Sequence, residues 1–460
     1  MTASEGIDPN SRGTQISYQI NDDGFSVEIL GRKYIVSYPK NLYATLDENF
    51  KKLVAENFIY CRVKSLALQT DQALVFGLSK PLVKDLVSFG IVNDIPRLAY
   101  FTKVETEKLL EIFEGNKDKE SFKNSLLKQD LAIKTESNKV ILSLSFGKDS
   151  LLSYGLLKEL GLDMQIVYVK EMEGLNNPEE HFKTQIISEF TKSEAVSMEF
   201  LKDNIDEIFY DHQLARPVED LENTNGMLAF TLEVLPFAYF HRAKYLVFGN
   251  EANFSDYYQV GAHKIYPSFD QSIFYSREEN KVISKLTNGQ MQMVSLVEPI
   301  YNIVEMGILV NRYPELLKYM MSCSPKDSQH DRWCYDCPMC AKSFIFLKAV
   351  GGNPQVSGFN QDFFKVGYKN LYPLFNENIT RAYEKPPAVR DEQLLAFLLA
   401  YRRGAKGDLM SLFEEKYLAE AAKREAELRQ KFLAIQPMVT VPDFIKDRLV
   451  DIYQEEIIKI

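Results

Sequence analysis

The hexapeptide Ser145-Phe146-Gly147-Lys148-Asp149-Ser150 has the makings of an anion cradle. It follows Val140-Ile141-Leu142-Ser143-Leu144, which reads as a buried strand. It precedes a helix from Asp149 to Leu160 that carries Leu152, Leu156 and Leu160 on one face, with Gly161 as C-cap. Strand, tight turn and helix start together aim backbone N–H groups at one point. The first N–H groups of a helix lack internal partners, and the macrodipole adds partial positive charge there. A phosphate is the expected occupant. Gly147 lets the backbone approach closely, Ser145 and Ser150 offer hydroxyls, Lys148 adds a cation, and Asp149 suits Mg²⁺ or a helix cap. Neither Gly-x4-Gly-Lys-Ser/Thr nor Gly-x-Gly-x-x-Gly is present. The bland alternative is a βα turn in which serine and aspartate only cap the helix.

Cys323, Cys334, Cys337 and Cys340 follow the spacing C-x10-C-x2-C-x2-C. Thiolates so spaced complete a tetrahedral Zn²⁺ site, and four of them leave no open position, so the site reads as structural. His330 could replace one cysteine. Buried thiols, a redox pair or an iron–sulfur cluster are the rivals. Cys61, alone in the N-terminal region, reads as a small core residue.

Other candidates carry less. Glu251, in Gly249-Asn250-Glu251 after the strand Tyr245-Leu246-Val247-Phe248, could bind Mg²⁺ or ribose, or cap a helix. His263 could be a base, though an isolated histidine is more often a hydrogen-bonding residue. Arg216 could hold a carboxylate or phosphate, a surface salt bridge being commoner. His181 and His212 have no evident partner.

The elements that must position these residues occupy 460 residues, enough for two or three domains. Apolar residues make up 45%, too many for global disorder. A net charge of −10 argues against a broad grip on nucleic acid and leaves only a local basic groove open. The first residues show no cationic or apolar leader, no apolar run approaches the length of a membrane span, and the cysteines are not spread as a secreted disulfide framework. The cytoplasm is the expected compartment. Residues 1–137 read as an N-terminal mixed α+β domain, with the first 20 or so frayed. Strands are expected at Phe25–Leu30 and Arg32–Tyr38, and helices at Thr106–Phe113 and Phe122–Leu131. Charged residues 134–139 mark the boundary. Residues 138–350 alternate buried strands with helices, including the strand Gln165–Val169, as in a doubly wound parallel sheet of α/β class. Residues 351–460 form a helical tail, with helices from Asp391 to Tyr401 and from Asp408 to Leu433.

The loop resembles the Ser-Gly-Gly-x-Asp-Ser motif of the PP-loop ATP pyrophosphatases, with Ser145, Gly147, Asp149 and Ser150 matching and Phe146 replacing a glycine. That resemblance implies an adenine-nucleotide-binding α/β fold. Its loop (Ser145, Phe146, Gly147, Lys148, Asp149, Ser150), with Gly249 and Asn250, would grip ATP while the α-phosphorus is attacked. Glycine should fit at position 146. A similar cysteine arrangement after a PP-loop domain occurs in 7-cyano-7-deazaguanine synthase, where zinc is structural. Gly249-Asn250-Glu251, His263 with Ser268, and Arg332-Trp333-Cys334-Tyr335-Asp336-Cys337-Pro338-Met339-Cys340 with its Phe-rich continuation resemble the UDP-N-acetylmuramoyl-L-alanyl-L-glutamate epimerase family, over residues 140–350. That family inverts a terminal L-glutamate with ATP and Mg²⁺. An adenylated carboxylate loses its charge and becomes an electron sink, so a modest base can take the α-proton. The family's C-terminal Lys-Pro-Phe-Glu-Cys-Val-Gly is matched here by Lys385-Pro386-Pro387-Ala388-Val389-Arg390-Asp391, without cysteine.

The resulting expectation is an AMP-forming enzyme that activates a small-molecule carboxylate, with ATP, Mg²⁺ and Zn²⁺ as cofactors and Asp149, Lys148, Glu251 and His263 as catalytic candidates. A nucleobase- or tRNA-modifying enzyme is the alternative within the class. A non-catalytic nucleotide-binding scaffold with a zinc docking module is the alternative outside it.

Overall fold

The computed structural model describes residues 13–125, 131–171, 178–210, 216–325, 331–376, 378–379 and 381–460. Its centre is a ten-stranded, mostly parallel sheet. The N-terminal strands are β1 (Gly13–Asn21), β2 (Gly24–Ile29), β3 (Arg32–Ser37), β4 (Ala73–Ser79) and β5 (Glu120–Asn124). The later ones are β6 (Glu136–Ser143), β7 (Asp163–Glu171), β8 (Met198–Asp203) and β9 (Ala243–Phe248). A two-stranded hairpin, β10 (Tyr258–Val260) and β11 (His263–Ile265), lies apart, and β12 (Gln292–Ser295) returns to the large sheet. The order is β12-β9-β6-β7-β8-β3-β2-β1-β4-β5. From β12 to β8 every pair is parallel. The N-terminal strands join through antiparallel pairing of Val36 and Ser37 with Asp203 and Lys202.

Alternation along the strands builds two cores. Val140 and Leu142 on β6, with Tyr245 and Val247 on β9, face one layer; Ile141 and Leu246 face the other. The first layer contains Ile303 and Leu309 of helix Asn302–Arg312, Ile345 of helix Pro338–Ala349, and Leu398 and Phe432 of the C-terminal region. The second contains Phe58 of helix Glu48–Val63, Leu98 of helix Lys84–Thr102 and Leu232 of helix Gly226–His241. Both faces of the parallel strands are therefore covered, which is why those strands are nearly continuous apolar runs.

The expected strands at 25–30 and 32–38 and the helix from Thr106 are present, the helix running on to Asn116. Four expectations change. Residues 13–21 are not frayed but form β1, paired on both sides. The stretch from Phe122 is strand rather than helix as far as it is described, because β5 pairs with β4 and Glu120 anchors it to Lys64 at 2.6 Å; residues 126–130 lie outside the described residues. The charged residues Glu136 and Lys139, expected to mark a boundary, belong to β6 itself. In the tail, the charged helix divides at Tyr417 into Asp408–Lys416 and Leu418–Phe432.

No described helix is long and apolar enough to cross a membrane.

Candidate functional site

The strand β6 is flanked by β7 on one side and β9 on the other, and the chain leaves it toward β7 and later returns to its opposite edge. Such a reversal opens a crevice at the carboxyl ends of the strands. The hexapeptide sits there, between β6 and helix Lys148–Glu159.

Phe146 makes the turn with φ 64°, in the left-handed region that glycine favours. Its ring is fully buried against Phe190, with centroids 5.3 Å apart, and near Tyr168. The expectation that glycine fits the backbone here therefore holds only for the turn. Phe146→Gly relieves strain worth about 1–2 kcal/mol but deletes a buried ring worth about 3–5 kcal/mol. We expect a net loss of about 2–3 kcal/mol in a denaturant melt; an unchanged melt would show that the ring contributes no packing.

The loop is pinned from two directions. The Phe146 carbonyl accepts from Met321 N–H at 2.8 Å. Buried Lys183, on helix Pro178–Glu194, donates to the Ser145 carbonyl and, at 3.1 Å, to the Met321 carbonyl. Burial pushes the Lys183 ammonium below its ordinary value, against the pull of Glu179. No side chain of the helix's own N-cap, Gly147, covers the helix start; Ser322 Oγ accepts from the Lys148 N–H at 3.3 Å. Ser145 and Ser150 hydroxyls lie 3.3 Å apart, and Ser150 also donates to the Gly147 carbonyl at 3.2 Å. Gly249, just after β9, packs so closely that a Cβ there would stand 2.6 Å from Asp149 Cβ. This glycine is what allows Asp149 and Glu251 to share one site.

Asp149 does not cap the helix. Its carboxylate joins those of Glu251 and Glu305, one oxygen from each lying within 4.8 Å of the others. The Lys148 ammonium is buried among them, in contact with Asp149 and Glu251 and 3.3 Å from Glu305. The structure thus spends Lys148 on the carboxylates rather than on a free cationic surface. Burial works against its charge, but the three carboxylates outweigh that and raise its pKa well above the usual value. Burial would likewise raise Glu251, yet Lys148 and Lys342 hold it well below the carboxylate range. Glu305 goes the other way, raised well above its ordinary value by burial and by Asp149 and Glu251, against Lys148. Three carboxylate oxygens this close could hold a metal ion, with the Lys148 ammonium standing among them in this structure. Glu305 was not singled out from the sequence; it lies on helix Asn302–Arg312, whose start is held by Glu392 accepting from Ile303 N–H at 3.0 Å.

A cleft of about 550 Å³ opens over Ser145, Gly147, Asp149 and Glu251, with Ser268, Lys342, Arg381 and Glu384 among its walls. A second cavity of about 250 Å³ shares Ser145 and Asp149, and is lined by Ser150, Tyr168, Phe230, Phe248, Gly249 and Asn250. His263 is not brought to either. It sits on the hairpin with Nε2 3.0 Å from exposed Glu107. Arg216 makes a surface salt bridge to Asp71 at 2.6 Å, and His181 an exposed contact to Gln185. His212 and His330 lie outside the described residues.

The four cysteines converge. Sγ–Sγ distances are 3.9 Å for Cys323–Cys337, 3.8 Å for Cys334–Cys340 and 3.4 Å for Cys337–Cys340. A ZnS₄ tetrahedron with bonds of about 2.3 Å has edges of about 3.8 Å, whereas a disulfide needs about 2.05 Å. Backbone N–H groups of Cys334, Asp336 and Cys340 point at Cys323, Cys334 and Cys337 sulfurs, the bonding that thiolates attract. The donor set therefore fits zinc. Tyr335, at φ 54°, turns the chain between two of the ligands. Buried Trp333 stacks on Phe359 at 4.2 Å and donates to the Ser357 carbonyl, tying the cluster to the C-terminal region. Cys61 is buried and free, as a core residue. Compared with known proteins, the chain matches no family model and aligns with no curated relative.

Proposed function

We propose that this protein activates a small-molecule carboxylate with ATP, releasing pyrophosphate as the acyl-adenylate forms and AMP when water then attacks the acyl carbon and breaks its bond to the AMP oxygen. The observation that carries the reading is the loop at the sheet's reversal point, whose helix start meets a three-carboxylate site at the junction of two cavities. The smaller cavity, with Tyr168, Phe230 and Phe248 in its lining, suits a nucleoside. The larger suits the phosphates and the acid. Bound so, the acid's oxygen attacks the α-phosphorus, an O–P bond forms, and the bond to the β-phosphate oxygen breaks with pyrophosphate taking the electron pair. The helix start and the serine hydroxyls receive that charge. Asp149, Glu251 and Glu305 would hold Mg²⁺, which would screen the departing pyrophosphate. The cysteine cluster would hold zinc away from the chemistry, as a structural tie.

Within this class we propose an epimerase-type outcome, as in the UDP-N-acetylmuramoyl-L-alanyl-L-glutamate epimerase family that the sequence resembles. The stretch 385–391 brings no cysteine, but Glu384, just before it, lines the cleft. Burial pushes its carboxyl up to about 7, against Arg381 and Lys342, with Cys337 adding to the rise. A carboxyl poised there could take the α-proton of an adenylated acid.

Incubation with ATP, Mg²⁺ and a panel of carboxylates should yield AMP and pyrophosphate only when an acid substrate is present. ADP and phosphate as products would overturn the activation reading. Retention of the α-proton by a substrate turned over in D₂O would overturn the epimerase one alone.

A further inference from the structure

One oxygen from each of Asp149, Glu251 and Glu305 lies within reach of a common ion, and the Lys148 ammonium already stands on all three carboxylates. An ammonium has three N–H donors, so one bond to each carboxylate exhausts it. The site offers more than that. Glu305 is fully buried, yet its Oε1 meets no hydrogen-bond donor among the described residues. Lys342 adds a second cation only at 3.5 Å, on Glu251 Oε1. A monovalent group with three donors thus occupies a place where six carboxylate oxygens converge. A hard dication takes more oxygens than that ammonium can serve.

The two cations exclude each other, because they need the same carboxylates and repel at such short range. Metal entry therefore requires the ammonium to leave. Its way out is the cleft. Lys148 follows Gly147 at the helix start and lines the cleft beside Ser145, Gly147 and Asp149. Of the three carboxylates, Asp149 is the open one, 28% exposed against 3% for Glu251 and 0% for Glu305. The flexible four-carbon stem of a lysine lets its ammonium turn while the backbone stays in place. We propose that the Lys148 ammonium is a resident counter-ion which a divalent cation displaces, and that the displaced lysine turns into the cleft to bind phosphate. The loop lysine then becomes a phosphate ligand only once the metal is in place, which links the two binding events. The proposal rests on the activation reading for the phosphates in the cleft, but the exchange is a matter of binding and needs no turnover.

The test is reductive methylation of the full chain, read at Lys148 by mass spectrometry, with Mg²⁺ saturation checked by calorimetry. Without Mg²⁺, Lys148 should be labelled slowly, as is expected of Lys64, which is equally buried and paired with Glu120. Saturating Mg²⁺ should raise labelling of Lys148 severalfold and leave Lys64 unchanged. Inorganic phosphate, added with Mg²⁺ still in excess, should shield Lys148 again. Folded K148M should bind Mn²⁺ at least about tenfold more tightly than the wild type, the competing charge being gone. Labelling of Lys148 that ignores saturating Mg²⁺ overturns the exchange, as does a wild type that binds no divalent cation, or folded K148M with wild-type Mn²⁺ affinity. Release by Mg²⁺ without shielding by phosphate overturns the phosphate half. AMP assays keep the two readings apart: exchange without AMP from any acid refutes activation alone, and AMP formed while Lys148 stays shielded refutes the exchange alone.

Discussion

Cys337→Ser is expected to strip about one zinc equivalent from each chain and to cost several kcal/mol of stability. The four sulfurs already stand at the edge lengths of a ZnS₄ tetrahedron, and without a cation they would be packed thiols with three backbone N–H groups pointing at them. Metal binding of this kind is worth about 10–16 kcal/mol in isolated zinc-finger peptides. Here a share of that stays with the packed core, since Trp333 and Phe359 remain stacked beneath the cluster. The loss should nevertheless travel. Cys323 directly follows Met321 and Ser322, which hold the Phe146 carbonyl and the Lys148 N–H, and Cys340 lies on the helix that brings Lys342 into the cleft. A loosened cluster should therefore weaken nucleotide binding as well as lower the melting temperature, and adding a chelator should do both to the wild type. Elemental analysis finding no metal, or iron with sulfide, would count against the zinc assignment. A Cys337→Ser protein melting with the wild type would count against its structural role.

What the sequence disclosed about this site was local, and what it concealed was long-range. The strand–loop–helix unit around Ser145–Ser150 could be read because a buried parallel strand is a continuous apolar run and a helix start has its own polar signature. The cysteines could be read because a tetrahedral metal site asks for such spacing. Glu305 could not: it is one carboxylate on an amphipathic helix more than 150 residues from the loop, and only folding brings it to Asp149. Lys183 was equally silent, since lysine on a charged helix is ordinary until its ammonium is buried under the Ser145 carbonyl. The stretch from Phe122 reads as helix because Phe-Lys-Asn has no alternating period, and pairing of β5 with β4 makes residues 122–124 strand instead. His263 illustrates the reverse error, a chemically suggestive residue that the hairpin carries to Glu107 rather than to the cleft.

Asp149→Ala is expected to abolish turnover while barely changing the melt. On the side of stability, the carboxylate at the helix start gains roughly 0.3–1 kcal/mol from the dipole. It also pairs with Lys148, but that ammonium keeps Glu251 and Glu305, and removing Asp149 relieves a like charge that presses on Glu305. These contributions oppose one another, so the net change should stay within about 1 kcal/mol. On the side of chemistry there is no such cancellation. If Asp149 helps to hold Mg²⁺ against the departing pyrophosphate, its loss removes several kcal/mol of transition-state stabilisation, thousands-fold in rate. Glu251 and Glu305 cannot compensate, because the Lys148 ammonium contacts both and competes with the metal for them. The two measurements, a thermal melt and acid-dependent AMP release, therefore separate the roles by orders of magnitude. A folded Asp149→Ala protein that still forms AMP at near wild-type rate would remove the three-carboxylate site from the reaction and leave Asp149 as no more than a favourably charged helix start.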